Sequence, residues 1–317
     1  MKYSDIGMKI LAAKECGIIK TNAQFWGTFS DRERFDKEVL KNDRVIKATE
    51  KLSREFDSLG SEEGMTCVFD KDFPVISSKV KNNGDKPYLL FYKGDLSLLH
   101  DLNNNVAVIG LTDPDDEISK RETDIVEKLV DNGLVIVSGL ARGCDTNAHR
   151  TCLKSNGKTI AILPSQLNKI YPAENLDLAE DIVRDGGLLI SEYYKDSTSR
   201  NEAIKRFIER DRLQAMFSKA IILIASYRKD EGDSGSRHAM EAASKYEIER
   251  YAMYNSRTDD NKKQFGLNKD LVEAKGMNQV KILQISSIEH IKVFKNQNLT
   301  PKANLHATEQ ITLLKDL

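Results

Sequence analysis

The chain has 317 residues, with 48 lysines and arginines against 49 aspartates and glutamates, so its formal net charge is −1. This length suits one large domain and a small one. The charge balance excludes a protein that coats duplex DNA through an overall basic surface, because such proteins carry a large basic excess. Any contact with a polyanion must therefore come from a local patch.

The chain contains four cysteines, namely Cys16, Cys67, Cys144 and Cys152. They form no CxxC pair and have no histidine at a zinc-binding spacing, so we expect free thiols, a reducing cytoplasm and no metal site. The N-terminus places Asp5 and Lys9 where a signal peptide needs an unbroken apolar stretch. The longest apolar run, residues 220–225, is far below the ~18 residues of a membrane span. We therefore expect a soluble cytoplasmic protein with no membrane contact.

Residues 1–65 are predicted to form a helical N-terminal domain. In DRVIKATEKLSREFDSL, apolar residues recur at helical spacing and charges occupy the other face. Residues 65–99 differ, because Pro74, Asn82-Asn83-Gly84 and Pro87 interrupt short apolar pieces. This composition predicts an irregular connector that ends in a strand near residues 88–92.

From Val106 onwards, short apolar runs alternate with amphipathic segments. The runs are VAVIG, LVIVSG, TIAIL, LLIS, AIILIA and ERYAMY. They are typical of parallel strands buried on both faces. The amphipathic segments are residues 119–132, 146–155, 176–184, 200–217 and 236–246. The alternation predicts an α/β fold with a doubly wound parallel sheet in residues 66–294, followed by a polar tail, 295–317, too short for another domain.

Ligands of open α/β sheets bind outside the carboxyl ends of the strands, so the loops there are the candidate site. After LVIV come Ser138, Gly139, Arg142 and Gly143. Glycines allow close approach of backbone N–H groups, a following helix N-terminus suits phosphate, and a guanidinium matches phosphate oxygens. We predict Asp145 as the N-cap of that helix. The alternative is that the glycines only serve the turn and that Arg142 pairs with a carboxylate.

The loop after TIAIL is PSQLNKIYPAEN, residues 164–175. Lys169 is a candidate phosphate contact, and Tyr171 is a candidate for stacking on a base or for packing. The stretch KRFIERDR, residues 205–212, is densely basic, and its alternative interpretation is a solvated helix face. Because residues i and i+2 do not share a helix face, one of Arg210 and Arg212 is expected to point inward or to lie where the helix is irregular.

The loop after AIILIA reaches a helix start at Ser234, Gly235 and Ser236. Small residues in several loops at one sheet edge predict an anion-binding crevice. No residues form a recognisable set of nucleophile, base and orienting group. The corresponding loop, GDSGSRHAME, also lacks the PGGxGTxxE expected of nucleotide-cleaving enzymes of related architecture. We therefore expect neither an enzyme nor a cofactor.

Residues 72–293 resemble the DNA-processing protein A (DprA/Smf) family. SGLARGCDTNAH, residues 138–149, is similar to the family's SGLARGIDxxAH, and KTIAILPSQLNKIYPAEN resembles its TIAVLGxGLDxxYPxEN. Four further segments follow in the family's order. They are GLLISEY, RDR in place of RNR, SGS, and FGLNKDLVEAKGMNQV, which resembles GxNxLIxxGA. DFPVISSKVKNNGDKPYLLFYKGDLSLL resembles the segment that leads into the sheet.

The resemblance implies an extended Rossmann-type domain after a small helical domain. It also implies binding and protection of single-stranded DNA, loading of a RecA-type recombinase during natural transformation, and a homodimer through the Rossmann-type domain. Two departures concern the site. The family's GSR is here Gly110-Leu111-Thr112, so a hydroxyl replaces a phosphate-contacting arginine, whereas SGSRHAM returns one positive charge through Arg237. We expect no winged-helix domain in the tail.

The leading hypothesis is that arginines and a lysine line a groove for single-stranded DNA without making or breaking a bond. The predicted binding residues are Gly110, Thr112, Ser138, Gly139, Arg142, Gly143, Lys169, Arg210, Arg212, Ser234, Gly235, Ser236 and Arg237. The alternative is a sensor that holds a small nucleotide or nucleotide-derived signal in the same crevice, and a third interpretation is an enzyme that cleaves an N-glycosidic or phosphate bond. The sequence does not decide whether the N-terminal helices are a DNA-binding accessory, a partner-docking module or a cap on the sheet.

Overall fold

The computed structural model describes residues 2–57, 63–232, 235–276, 279–283 and 288. The chain divides into two compact units. Among the described residues, the first comprises residues 2–57, 63–74 and 82–89, and the second comprises residues 75–81, 90–232, 235–276, 279–283 and 288. The boundary predicted at residue 65 lies inside the first unit, and the predicted tail, 295–317, lies outside the described residues.

The first unit is built mainly from short helices. They are α1 (Asp5–Glu15), α2 (Asn22–Gln24), α3 (Arg32–Phe35) and α4 (Asp43–Asp57), with π-helical turns at Phe25–Phe29 and Asp36–Leu40. The Ser4 hydroxyl accepts a hydrogen bond from the Gly7 N–H and so caps α1. Phe25 stacks on Tyr88 with ring centroids 4.3 Å apart, and both side chains are buried. The unit also contains a strand that the sequence did not predict, β1 (Glu63–Cys67).

The second unit is a sheet flanked by helices. Its strands are β2 (Leu89–Gly94, of which Leu89 belongs to the first unit), β3 (Asn105–Ile109), β4 (Val135–Ser138), β5 (Thr159–Leu163), β6 (Leu188–Ser191), β7 (Ala220–Leu223), β8 (Glu249–Met253) and β9 (Lys281–Leu283). Its helices are α5 (Asp116–Asp131), α6 (Cys144–Lys154), α7 (Leu176–Arg184), α8 (Arg200–Met216), α9 (Ser236–Lys245) and α10 (Gly266–Glu273). Every residue of β3, β5, β6 and β7 is buried.

The strands of this unit run in the order β2-β6-β5-β4-β3-β7-β8-β9. Only β2 is antiparallel to its neighbour, β6; the other pairs are parallel. The chain leaves β3 towards β4 on one side and places β7 on the other, which is the arrangement of a doubly wound sheet. The predicted α/β fold is thus confirmed. Within the described residues, no helix combines the length and apolar character needed to cross a bilayer.

Candidate functional site

The loops at the carboxyl edge of the sheet are joined by hydrogen bonds. Ser236, at the start of α9, donates through its hydroxyl to the Gly110 carbonyl after β3 at 3.0 Å. The Cys144 N–H, at the start of α6, donates to the Leu111 carbonyl at 2.8 Å. The buried Asn175 side chain, which precedes α7, donates to the Leu140 carbonyl at 2.9 Å. The loops after β3, β4, β5 and β7 therefore meet at one edge, as their order along the chain predicts.

The loop after β4 binds a carboxylate of the protein itself. The N–H groups of Gly139 and Ala141 both donate to Asp145 Oδ2, at 3.1 and 3.2 Å. The prediction that Asp145 caps α6 is wrong, because the capping position is Gly143 and Asp145 lies in the first turn, from which it reaches back to the loop. Burial raises the pKa of Asp145. Two N–H groups that were expected to meet a ligand are consequently taken.

Ser138 and Gly143 shape the two ends of this loop. The fully buried Ser138 hydroxyl donates to the Val108 carbonyl at 2.7 Å, which ties β4 to β3. Gly143 has φ +68°, and a Cβ added there would lie 2.3 Å from the Leu111 carbonyl oxygen. Glycine is required at this position, since a side chain would meet both backbone strain and a steric clash.

Arg210 and Arg212 both point into the protein. Nη1 of Arg210, whose side chain is 5% exposed, donates to the Ile162 carbonyl at 3.0 Å and lies 4.0 Å from Asp145 Oδ2. Arg212 forms a two-pronged ion pair with Glu192, with both N–O distances at 2.7 Å. The sequence predicted an inward side chain at one of these positions, and the structure shows it at both. The contact of these two arginines with DNA stays a prediction, and the guanidinium groups are directed to protein oxygens.

Arg142 and Lys169 are exposed at the loop tips, with 63% and 62% of their side chains accessible. Arg142 donates through Nε and Nη2 to the two carboxylate oxygens of Glu174 at 2.9 and 3.0 Å. The Lys169 ammonium lies 2.9 Å from Asp196 Oδ2. Hydrogen bonding to Glu174 raises the pKa of Arg142. Exposed ion pairs contribute only about 0–1 kcal/mol, so a ligand phosphate can replace these carboxylates.

Tyr171 lies on the same loop as Lys169 and is 61% exposed. Its ring meets that of Phe207 edge-on, with centroids 5.6 Å apart. An exposed aromatic ring held in place beside exposed cations is suited to stacking on a base. We call Arg142, Lys169 and Tyr171 the loop-tip cluster.

The other predicted binding residues differ from one another in exposure and contacts. Thr112 is exposed and Gly110 is buried. Gly235 has φ +88° and occupies the capping position of α9. Arg237 pairs with Glu241, four residues further along α9, at 3.0 Å. Ser234 lies outside the described residues.

Two buried titratable groups lie beneath the loops. Burial lowers the pKa of His149 to about 3, and its Nδ1 lies 2.7 Å from the Thr159 hydroxyl. The Glu122 carboxylate accepts from the Asn147 side-chain amide at 2.9 Å, and burial raises its pKa to about 8. Neither side chain reaches solvent. In the part of the chain that the structure describes, no three His, Cys, Asp or Glu side chains are grouped to hold a metal ion.

Sequence reasoning found the cations but missed the residues that hold them. Glu174, Asp196 and Glu192 are the ion-pair partners of Arg142, Lys169 and Arg212. Asn175 bridges the β5 loop to the β4 loop through the Leu140 carbonyl, and its amide also donates to the Thr146 hydroxyl on α6 at 2.8 Å. The sequence signal that could have identified Glu174 and Asn175 was the Glu-Asn dipeptide at the end of KTIAILPSQLNKIYPAEN.

Residues 64–284 match the family model of DNA recombination-mediator protein A. The DNA processing protein DprA of Streptococcus pneumoniae is 40% identical over 145 residues, which cover 45% of this chain and 46% of that protein. Protein Smf of Synechocystis is 33% identical over 174 residues, which cover 54% of this chain and 42% of that protein. The chain thus matches less than half the length of these curated relatives.

Two solved structures are similar over a larger share. The X-ray structure of DprA from Streptococcus pneumoniae has a TM-score of 0.68 and 27% identity, covering 89% of this chain and 95% of that one. A structure of DprA from Helicobacter pylori, described for its single-stranded DNA binding mode, has a TM-score of 0.57 and 27% identity. It covers 73% of this chain and 95% of that one.

Proposed function

The chain belongs to the DNA recombination-mediator protein A family, and on that premise we propose that it binds single-stranded DNA through the loop-tip cluster. The observation that carries the proposal is the exposure of two cations and one aromatic ring on adjoining loops. Cations contact the phosphates of a single strand and aromatic rings stack on its bases. No bond is made or broken in this function.

The Helicobacter pylori relative supports the ligand, since its single-stranded DNA binding mode is the subject of its structure. By the same family membership we extend the proposal to a role in DNA recombination and competence. The protein protects the strand and helps to load a RecA-type recombinase, and it acts as a homodimer through the second unit. These finer roles need their own tests, namely RecA filament assembly on a coated strand and sedimentation of the free protein.

Titration with labelled oligonucleotides of increasing length, beside free mononucleotides, tests the central proposal. A groove for single-stranded DNA gains affinity with length until it is filled. Tight binding of mononucleotides with no dependence on length would instead identify a nucleotide sensor and overturn the proposal. Mass spectrometry of the recovered nucleotides would reveal any cleavage.

Replacing Arg142 by alanine is expected to weaken binding of every single-stranded sequence, because the guanidinium contacts phosphate rather than bases. Each phosphate contact contributes about −0.7 to the slope of log K against log salt for single strands, so the slope should become shallower by about that amount. Arg184→Ala is the matched control, since Arg184 is also exposed and paired with a carboxylate but is the last residue of α7, at the other edge of the sheet. An unchanged slope for Arg142→Ala would remove this residue from the site.

Replacing Glu174 by glutamine is expected to tighten binding. The carboxylate competes with phosphate for the Arg142 guanidinium, and an exposed ion pair of this kind is weak, so the gain in affinity is about fivefold or less at low salt. Asp177→Asn removes the same charge from a nearby exposed residue that has no ion pair among the described residues. Weaker binding by Glu174→Gln would show that Glu174 orients Arg142 instead of competing for it.

A further inference from the structure

We propose that Arg210 is a positioning residue that acts on DNA through Asp145, rather than a phosphate contact. This inference rests on the proposed function. In this proposal Arg210, the first residue of RDR, holds the β4 loop, residues 139–143, in the conformation that presents Arg142.

Asp145 holds the β4 loop by its backbone. Asp145 accepts from the N–H groups of Gly139 and Ala141, and the next residue along the chain is Arg142. The Asp145 side chain is 9% exposed, so its charge is costly unless a cation balances it. Without a balancing cation the carboxyl group would take up a proton or turn towards solvent, and in either case it would release the loop.

A guanidinium group balances the charge of Asp145. Arg210 is the cation beside Asp145, at 4.0 Å, and it also lies 3.2 Å from Asp211 Oδ1. Its Nη1 donates to the Ile162 carbonyl at the end of β5, so one side chain connects α8, β5 and the β4 loop.

The guanidinium of Arg210 is shielded from a ligand above the loop. Arg210 lies directly under Gly139, where an added Cβ would be 1.4 Å from Nη1. The loop backbone therefore covers the guanidinium. A phosphate above the loop meets Arg142, not Arg210.

A double-mutant cycle on the full chain tests the assignment. Arg210→Gln should lower affinity for a labelled oligothymidylate by about the same factor as Arg142→Ala. The double variant should bind within about twofold of the weaker single variant, because both substitutions remove one contact. For the double variant, the slope of log K against log salt should be shallower than that of the wild type by about 0.7. A direct phosphate contact by Arg210 would instead give additive losses and a slope shallower by about 1.4, which would overturn the proposal.

Amide hydrogen exchange of the free protein gives a readout without DNA. Exchange of the peptide that spans residues 138–144 should accelerate in Arg210→Gln and return towards the wild-type rate in Arg210→Lys, which restores the charge. Arg206→Gln is the control, since Arg206 is buried on the same helix but pairs with Glu202. Equal acceleration in Arg206→Gln would show general loosening and contradict the proposal.

If Arg210→Gln does not fold, Asp145→Asn replaces it in the same cycle, and additive losses overturn the proposal there too. The outcomes also separate this inference from the proposed function. If the wild-type protein does not bind oligothymidylate, the proposed function is overturned. If the wild type binds normally and the losses of affinity at Arg142 and Arg210 are independent, only the positioning role is overturned.

Discussion

Replacing Gly139 by alanine is expected to destabilise the second unit by about 3 kcal/mol or more. The new methyl group would lie 1.4 Å from Arg210 Nη1 and 2.6 Å from Gln214 Nε2, so the guanidinium must leave its place. That movement breaks its hydrogen bond to the Ile162 carbonyl and its approach to Asp145. Separating a buried charge pair costs about 3–5 kcal/mol. Urea unfolding followed by circular dichroism measures the loss.

Gly266→Ala is the matched control for this experiment. The added Cβ would also meet an arginine, with Arg228 Cγ at 3.0 Å, but that side chain is 42% exposed and is held by an exposed ion pair with Asp270 rather than by buried contacts. Its cost should stay near 1 kcal/mol, the usual range of a single substitution. If Gly139→Ala costs no more than Gly266→Ala, Arg210 is not fixed beneath the loop.

Replacing Glu122 by glutamine is expected to stabilise the protein at neutral and alkaline pH. Burial raises the pKa of Glu122 to about 8, although the Asn147 amide donates to it, whereas a glutamate in the unfolded chain has a pKa of about 4.3. Below about pH 4 the group is protonated in both states and does not affect the pH dependence. Between pH 4 and 8 the unfolded chain loses its proton while the folded chain keeps it. The free energy of unfolding therefore falls as the pH rises, by an amount on the order of 5 kcal/mol.

Glutamine keeps the shape of the neutral form and does not titrate. Unfolding of the wild type and of Glu122→Gln across pH 5 to 9 should therefore diverge, with the variant gaining relative stability up to about pH 8 and a constant difference above it. Glu127→Gln, on the exposed face of the same helix, should run parallel to the wild type. Parallel curves for Glu122→Gln would show that the buried carboxyl does not hold its proton.

The strands were predictable because burial on both faces leaves a continuous apolar signal. TIAIL and AIILIA correspond to β5 and β7, and residues 176–184 coincide with α7. The strands β1 and β9 gave no such signal. EGMTC is not apolar throughout, and two of the three residues of β9 are exposed. Pairing with a neighbour, rather than local composition, makes these segments strands.

The exposed cations of the site were predictable, but their environment was not. A glycine-framed arginine after a strand indicates a loop tip, yet Glu174, its partner, lies 32 residues further along the chain. Arg210 and Asp145 are further apart still, and only the packing of α8 beneath the β4 loop brings them together. The error at Asp145 has a local cause, since Gly143 turns the chain with φ +68° and α6 begins two residues earlier than a cap at Asp145 requires.

The Asp145 carboxylate occupies the β4 loop. The residues that shape this loop are therefore different from the residues that face the solvent. Ser138 is fixed by a buried hydrogen bond, and Gly139 and Gly143 are fixed by close packing against neighbouring side chains and backbone. Arg142 and Lys169 are held by exposed ion pairs. Surface charges of this kind can be exchanged at little cost in folding free energy. Affinity for a polyanion can therefore change during evolution of this chain while the architecture beneath it stays constant.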